Sequence, residues 1–207
     1  MSKDNLIIQL LTITLIERST LMKRMYQTIL AALMVIFFIL PAKVHAADSD
    51  TLTIFASGDG LDVVINSDTT ASGARYHSVY KLVSTDTTYL WYGAITVNSD
   101  FTVIGVPGSD GRLPSLQPGV LSNGSMPEFL FTATGNGTVC TFKNFYVYGM
   151  TINADWNWGK TFLLTGENMR FIIDNVIVEQ NRGEIVSYTS PGCSFYITNC
   201  KFRNGVY

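Results

Sequence analysis

The chain has 207 residues, of which 47% are hydrophobic, 12% aromatic and 14% charged, and its net charge is −2. So apolar a chain is not disordered, its length allows one domain or two small ones, and its charge lacks the basic footprint of a nucleic-acid binder. Three cysteines are too few for a disulfide scaffold.

Residues 1–21 carry an apolar run from Leu6 to Ile16, closed by Glu17-Arg18. A secretory leader needs no such preface, so this stretch reads as a mis-called extension ahead of a start at Met22. Residues 22–46 read as a Sec signal peptide: Met22-Lys23-Arg24, twelve apolar residues from Ile29 to Leu40, then Pro41 and the small-residue site Val44-His45-Ala46. Twelve is short of the roughly 20 residues that span a bilayer. The expectation is therefore cleavage near Ala46, a secreted or cell-surface protein, and no membrane contact afterwards, with an uncleaved anchor as the alternative. Without residues 1–46 the chain keeps 9 basic and 14 acidic residues, close to −5. That argues against nucleic acid or anionic lipid as a partner.

Residues 47–90 read as a run-up or cap, with Trp91-Tyr92 as local core at the first coil. Ile95 to Gly105 reads as a degraded coil with Asp100 near its bend. Residues 107–127, rich in Pro, Gly and Ser, read as one inserted surface loop.

From Glu128 onward the chain repeats itself. The shared heart is apolar-x-Asn-apolar-x-apolar: Phe142 to Val147, Ile173 to Val178, and Ile197 to Phe202. Its asparagines are Asn144, Asn175 and Asn199, and a period of twenty-odd residues indicates a solenoid. Before each Asn, apolar residues alternate at positions −4 and −2 (Cys140/Phe142, Phe171/Ile173, Phe195/Ile197). After it the parity flips to +1 and +3 (Phe145/Val147, Val176/Val178, Cys200/Phe202). Alternation with period two marks a strand with one face inward. A parity flip would turn every side chain outward unless the Asn absorbs it in a left-handed bend. Two short strands meeting at such an Asn, turn after turn, predict an all-β parallel β-helix of about four coils over residues 91–207, with the asparagines bonded in a ladder.

These residues resemble the right-handed parallel β-helix of the pectate-lyase type, whose Asn ladder sits at such a bend. Residues 62–207 also resemble the N-terminal part of large secreted bacterial β-helix proteins, many of which end in a type IX sorting domain. No sorting domain is visible, and nothing after Phe202 reads as a cap, so the solenoid is expected to be incomplete and to continue beyond Tyr207. The resemblance implies polysaccharide as partner. A lyase of this kind would use Lys or Arg as base and often acidic calcium ligands. The family's hydrolase motifs (Asn-Thr-Asp, Asp-Asp, Gly-His-Gly) are missing.

The best exposed feature is the segment Asn153 to Lys160, between two coils. It holds Asp155, Trp156, Asn157 and Trp158. Tryptophan faces beside an acid and amides suit stacking on sugar rings, although one Trp covering the coil beneath would also account for it. Lys143, Lys201 and Arg203 alternate outward with Asp174 and Glu179 and read as a solvated mixed-charge face. Cys140 and Cys200 read as core, two coils apart and about 10 Å distant; a Cys193–Cys200 or intermolecular bond is the alternative. No Cys/His cluster suggests a metal site or cofactor. The leading expectation is a secreted β-helix segment with carbohydrate affinity. The alternatives are the N-terminal fragment of a polysaccharide lyase or glycoside hydrolase, with catalytic residues unknown, and a surface adhesin or structural stalk.

Overall fold

A computed structural model of the chain describes residues 50–151, 153 and 160–203. The expectations for residues 1–21 and for the leader fall outside the described residues. Within them the strands stack in parallel as a β-solenoid of about five turns. The first turn holds β1 (Thr51–Phe55) and the short helix α1 (Leu61–Ser67). The second holds β2 (Val79–Val83), β3 (Tyr89–Trp91) and β4 (Ile95–Val97). The third holds β5 (Phe101–Val106), β6 (Ser115–Pro118) and β7 (Phe129–Ala133). The fourth is β8 (Val139–Tyr148) with β9 (Lys160–Leu164), and the fifth β10 (Arg170–Glu179) with β11 (Val186–Tyr188). β12 (Ser194–Thr198) and β13 (Lys201–Arg203) begin another. The tally exceeds the expected four because β1, α1 and β2 already belong to the stack.

Among the described residues every ladder between the named strands is parallel, and three faces result. Face A stacks β1, β2, β5, the first half of β8, the first half of β10, and β12. Face B stacks β3, β6, the second halves of β8 and β10, and β13. Face C stacks β4, β7, β9 and β11. Inward residues line up by register. On face A the column is Leu52, Tyr80, Val103, Phe142, Ile173, Ile197. On face C it is Ile95, Phe131, Phe162, Val186. The two columns meet in an aromatic core. The Phe142 ring lies 4.6 Å from Phe131, 4.8 Å from Phe162 and 5.1 Å from Phe171, and all four residues are buried. Burying each such side chain contributes roughly 1.5–3 kcal/mol. Trp91 is buried as expected.

The alternation read from the sequence holds through β8 and β10. Cys140, Phe142, Phe145 and Val147 are buried, as are Phe171, Ile173, Val176 and Val178. In β12 and β13 the residues keep register, but Ile197 is 45% and Phe202 43% exposed. No described strand lies over them.

The third turn departs from expectation. Asp100 is not at the bend: Phe101 pairs with Cys140 and Val103 with Phe142. Gly105 therefore falls opposite Asn144. A Cβ at Gly105 would overlap the Asn144 carbonyl oxygen and crowd Pro114, so the closeness of the backbones demands glycine. Asp100 instead accepts a hydrogen bond from the Val139 amide at 2.9 Å. The single loop expected over 107–127 is two excursions with β6 between them. β6 returns to the sheet, where Leu116 pairs with Val147.

Candidate functional site

The predicted sugar-contact residues Asp155, Trp156 and Trp158 lie outside the described residues. In sequence they fall between β8, which ends on face B, and β9, which belongs to face C. Just after β8 a Cβ on Gly149 would come within 2.5 Å of the Gln180 carbonyl oxygen, and Gln180 has a left-handed φ of 58°. β9 begins at Lys160, whose ammonium lies 3.4 Å from the Glu184 carboxylate of the next turn.

The predicted ladder residues are placed at the bend between faces A and B. Asn144, Asn175 and Asn199 have φ of 60°, 51° and 54°, the conformation that Asn tolerates best among residues with a Cβ. Asn175 Nδ2 donates to Asn144 Oδ1 at 3.0 Å. Asn199 Nδ2 donates to a different acceptor, Asp174 Oδ1, at 2.9 Å. Thr198 donates to the same oxygen at 2.8 Å. These hydrogen bonds, with the charge of Lys143 adding to them, hold the Asp174 carboxyl below the usual carboxylate range.

The charged residues expected on one face occupy two. Lys143 and Asp174 stand opposite each other on face A, while Glu179, Lys201 and Arg203 belong to face B. The outer side of face B carries two cross-turn rows. One runs Ser115, Tyr146, Ile177, Lys201; the other runs Tyr148, Glu179, Arg203. The Tyr146 and Tyr148 rings stack side by side, 6.1 Å apart and 27° from coplanar. Both are half-buried. Tyr146 Oη donates to Glu179 Oε2 at 2.9 Å, and Arg203 Nη2 lies 3.1 Å from the same oxygen. Tyr148 Oη donates to Met150 Sδ at 3.6 Å, and Gln117 Nε2 donates to the Met150 carbonyl at 2.8 Å. Burial and then the Glu179 carboxylate push the Tyr146 phenol well above its ordinary value. Tyr146 therefore keeps its proton at neutral pH and serves as a donor, not a base. An aromatic platform with fixed donors and acceptors at its rim is suited to a polyhydroxylated ligand.

A second polar group sits near the start of the solenoid. Asp68 Oδ2 accepts from Tyr80 Oη at 2.7 Å and from the His77 amide at 3.2 Å, and Asp68 Oδ1 lies 3.0 Å from His77 Nδ1. Burial alone would raise the Asp68 carboxyl; the bonds from Tyr80 and His77 and the His77 charge outweigh it, and the net shift is downward. Burial, with Asp68 adding to it, pushes the Tyr80 phenol up to about 12. Tyr80 is fully buried beneath this group. The cluster ties the end of α1, at Asp68, to the start of β2 at His77 and Tyr80. Sequence reading missed it, and the one available signal was His77, the single histidine after residue 46.

Cys140, Cys193 and Cys200 are free thiols. Burial pushes the Cys140 thiol up to about 11, which suits core packing and not nucleophilic chemistry. Among the described residues no three His, Cys, Asp or Glu side chains gather as a metal would require. No family model, curated protein or solved structure matches the chain.

Proposed function

We propose that the chain is an exported β-solenoid segment that holds polysaccharide against face B, with Asp155, Trp156 and Trp158 as further sugar contacts. The observation that carries this reading is the tyrosine pair. Tyr146 and Tyr148 lie side by side on the outer side of β8, directly ahead of the tryptophan segment, with Glu179 and Arg203 at their edge. Four aromatic residues thus fall within one short stretch of chain, 146–158. Export is supported by the leader-like pattern of residues 22–46. The reading is one of binding: Tyr146 holds its proton, and Asp174 is tied by Thr198 and Asn199. The likeness to the pectate-lyase type rests on the fold alone, and calcium would enter only with lyase chemistry.

The test is affinity electrophoresis of the full chain through gels containing, in turn, xylan, β-glucan, polygalacturonate or alginate. At least one polymer should retard the chain. Tyr148→Ala and Trp158→Ala should each weaken that retardation about tenfold, equivalent to about 1.4 kcal/mol. No retardation by any polymer sinks the reading in favour of a stalk. Retardation untouched by both substitutions moves the site elsewhere.

A further inference from the structure

Parallel sheets end in rows of unpaired N–H and C=O groups that invite another strand. On face C the first strand is β4, and α1 takes the place of the strand that would precede it. A helix cannot supply a β ladder, yet the outer groups of β4 are occupied. Asn66 Nδ2 donates to the Ala94 carbonyl at 2.8 Å, and the Thr96 amide donates to Asn66 Oδ1 at 3.2 Å. Arg75 Nη2 donates to the Thr96 carbonyl. One carboxamide and one guanidinium therefore reproduce the donor and acceptor row of a parallel strand.

Arg75 is fixed from several sides. Its Nη1 donates to the Ile65 carbonyl at 2.5 Å and lies 3.4 Å from Tyr80 Oη. Its guanidinium carbon sits 5.3 Å from the centre of the Phe101 ring and 5.9 Å from that of Tyr80. A short antiparallel bridge between Thr69 and Arg75 and the Asp68–His77 contact close the loop that carries it. Leu61 and Ile65 anchor α1 in the core.

We infer that residues 60–78 are an edge guard: Asn66 and Arg75 stand in for a strand and keep β4 from pairing with a second copy of this chain. A strand that extended the face C stack at β4 would be parallel and carry the inward alternation of that face. β7 and β9 are paired on both sides, but β11 at the other end of face C has no described strand on its far edge, so the most closely matched intruder is β11 of another copy. A free β4 would join copies in a heterologous contact that does not close, the route to open fibres. The guard is an autoinhibitory contact against self-assembly.

The test uses the full chain and the variants Asn66→Ala, Arg75→Ala and their combination, with the exposed Arg112→Ala as control. Sedimentation velocity reads the assembly state, and hydrogen exchange reads the Thr96 amide. Wild type and Arg112→Ala should be monomeric, with Thr96 protected although no strand neighbours it on that side. The double variant should keep its near-UV dichroism and become associated in a concentration-dependent way. In Asn66→Ala, Thr96 should exchange at least tenfold faster when dilute. A folded double variant that stays monomeric overturns the inference. Should that variant not fold, the single variants decide: concentration-dependent association of a folded Asn66→Ala or Arg75→Ala supports the guard, and folded single variants that stay monomeric overturn it.

Discussion

The fourth and fifth turns and the second and third turns stack the same kind of core but go round the A-to-B corner differently. In β8 and β10 the chain passes the corner without leaving the sheet, through a left-handed Asn bonded to its neighbour. In the third turn the same register position is Gly105, and the chain departs after Val106 to return at Ser115. One corner is held by a side chain above it; the other is held by its backbone lying against the Asn144 carbonyl. The comparison separates two ways of making one bend. An Asn corner specifies itself locally, whereas a glycine corner depends on what is stacked beside it.

Three measurements would break or sharpen that contrast. Gly105→Ala is expected to have the largest effect, a loss of about 4 kcal/mol or more in urea unfolding, because the added methyl meets backbone that cannot rotate away. A loss below about 1 kcal/mol would show that the third turn is looser than described. Asn175→Ala should cost about 2 kcal/mol, since it strands Asn144 Oδ1 and puts a poorly suited residue at φ 51°. Asn175→Gly relieves the conformational part and should cost about 1 kcal/mol, the hydrogen bond alone. Equal losses from Ala and Gly would remove the left-handed bend from the explanation.

Asp68→Asn is the smallest effect and concerns the early turns only. The folded carboxyl is held below its ordinary value. Its contribution is therefore complete above the unfolded value of about 3.9 and vanishes as pH falls through the folded value. Wild type should exceed the variant by about 1 kcal/mol at pH 7, and the gap should close on acidification below the unfolded pKa. A gap that persists in strong acid would assign the effect to packing.

The Asn corners were legible because the parity flip is written in the residues: Phe142 and Ile173 before the bend, Phe145 and Val176 after it, with Asn between. The third turn was not. Glycine has no hydrophobic parity, and the excursion after Val106 hides the return of Leu116 to the same column. Asp100 attracted the assignment because it resembles Asn chemically, but register is set by the inward Phe101 and Val103. Helix α1 is too short, at seven residues, for its period to stand out. The face B platform was half legible. Alternation marks Tyr146 and Tyr148 as outward, yet their meeting with Glu179 and Arg203 needs the cross-turn register, which alternation within one strand does not contain. Composition singles out Trp156 and Trp158, whereas nothing within β8 itself sets Tyr146 and Tyr148 apart from other outward strand residues.

The break between Val106 and Ser115 has a consequence for engineering. Register is restored beyond it: Ser115 meets Tyr146 and Leu116 meets Val147 as though nothing had intervened. The exposed tip, with Gly111 at φ 77° and an Asp110–Arg112 pair, makes no contribution to the columns inside. Extra length there costs chain-closure entropy alone, roughly 0.6 kcal/mol for each doubling. The position is a splice point, where an epitope or a reporter peptide can be grafted while the rungs above and below it keep their spacing.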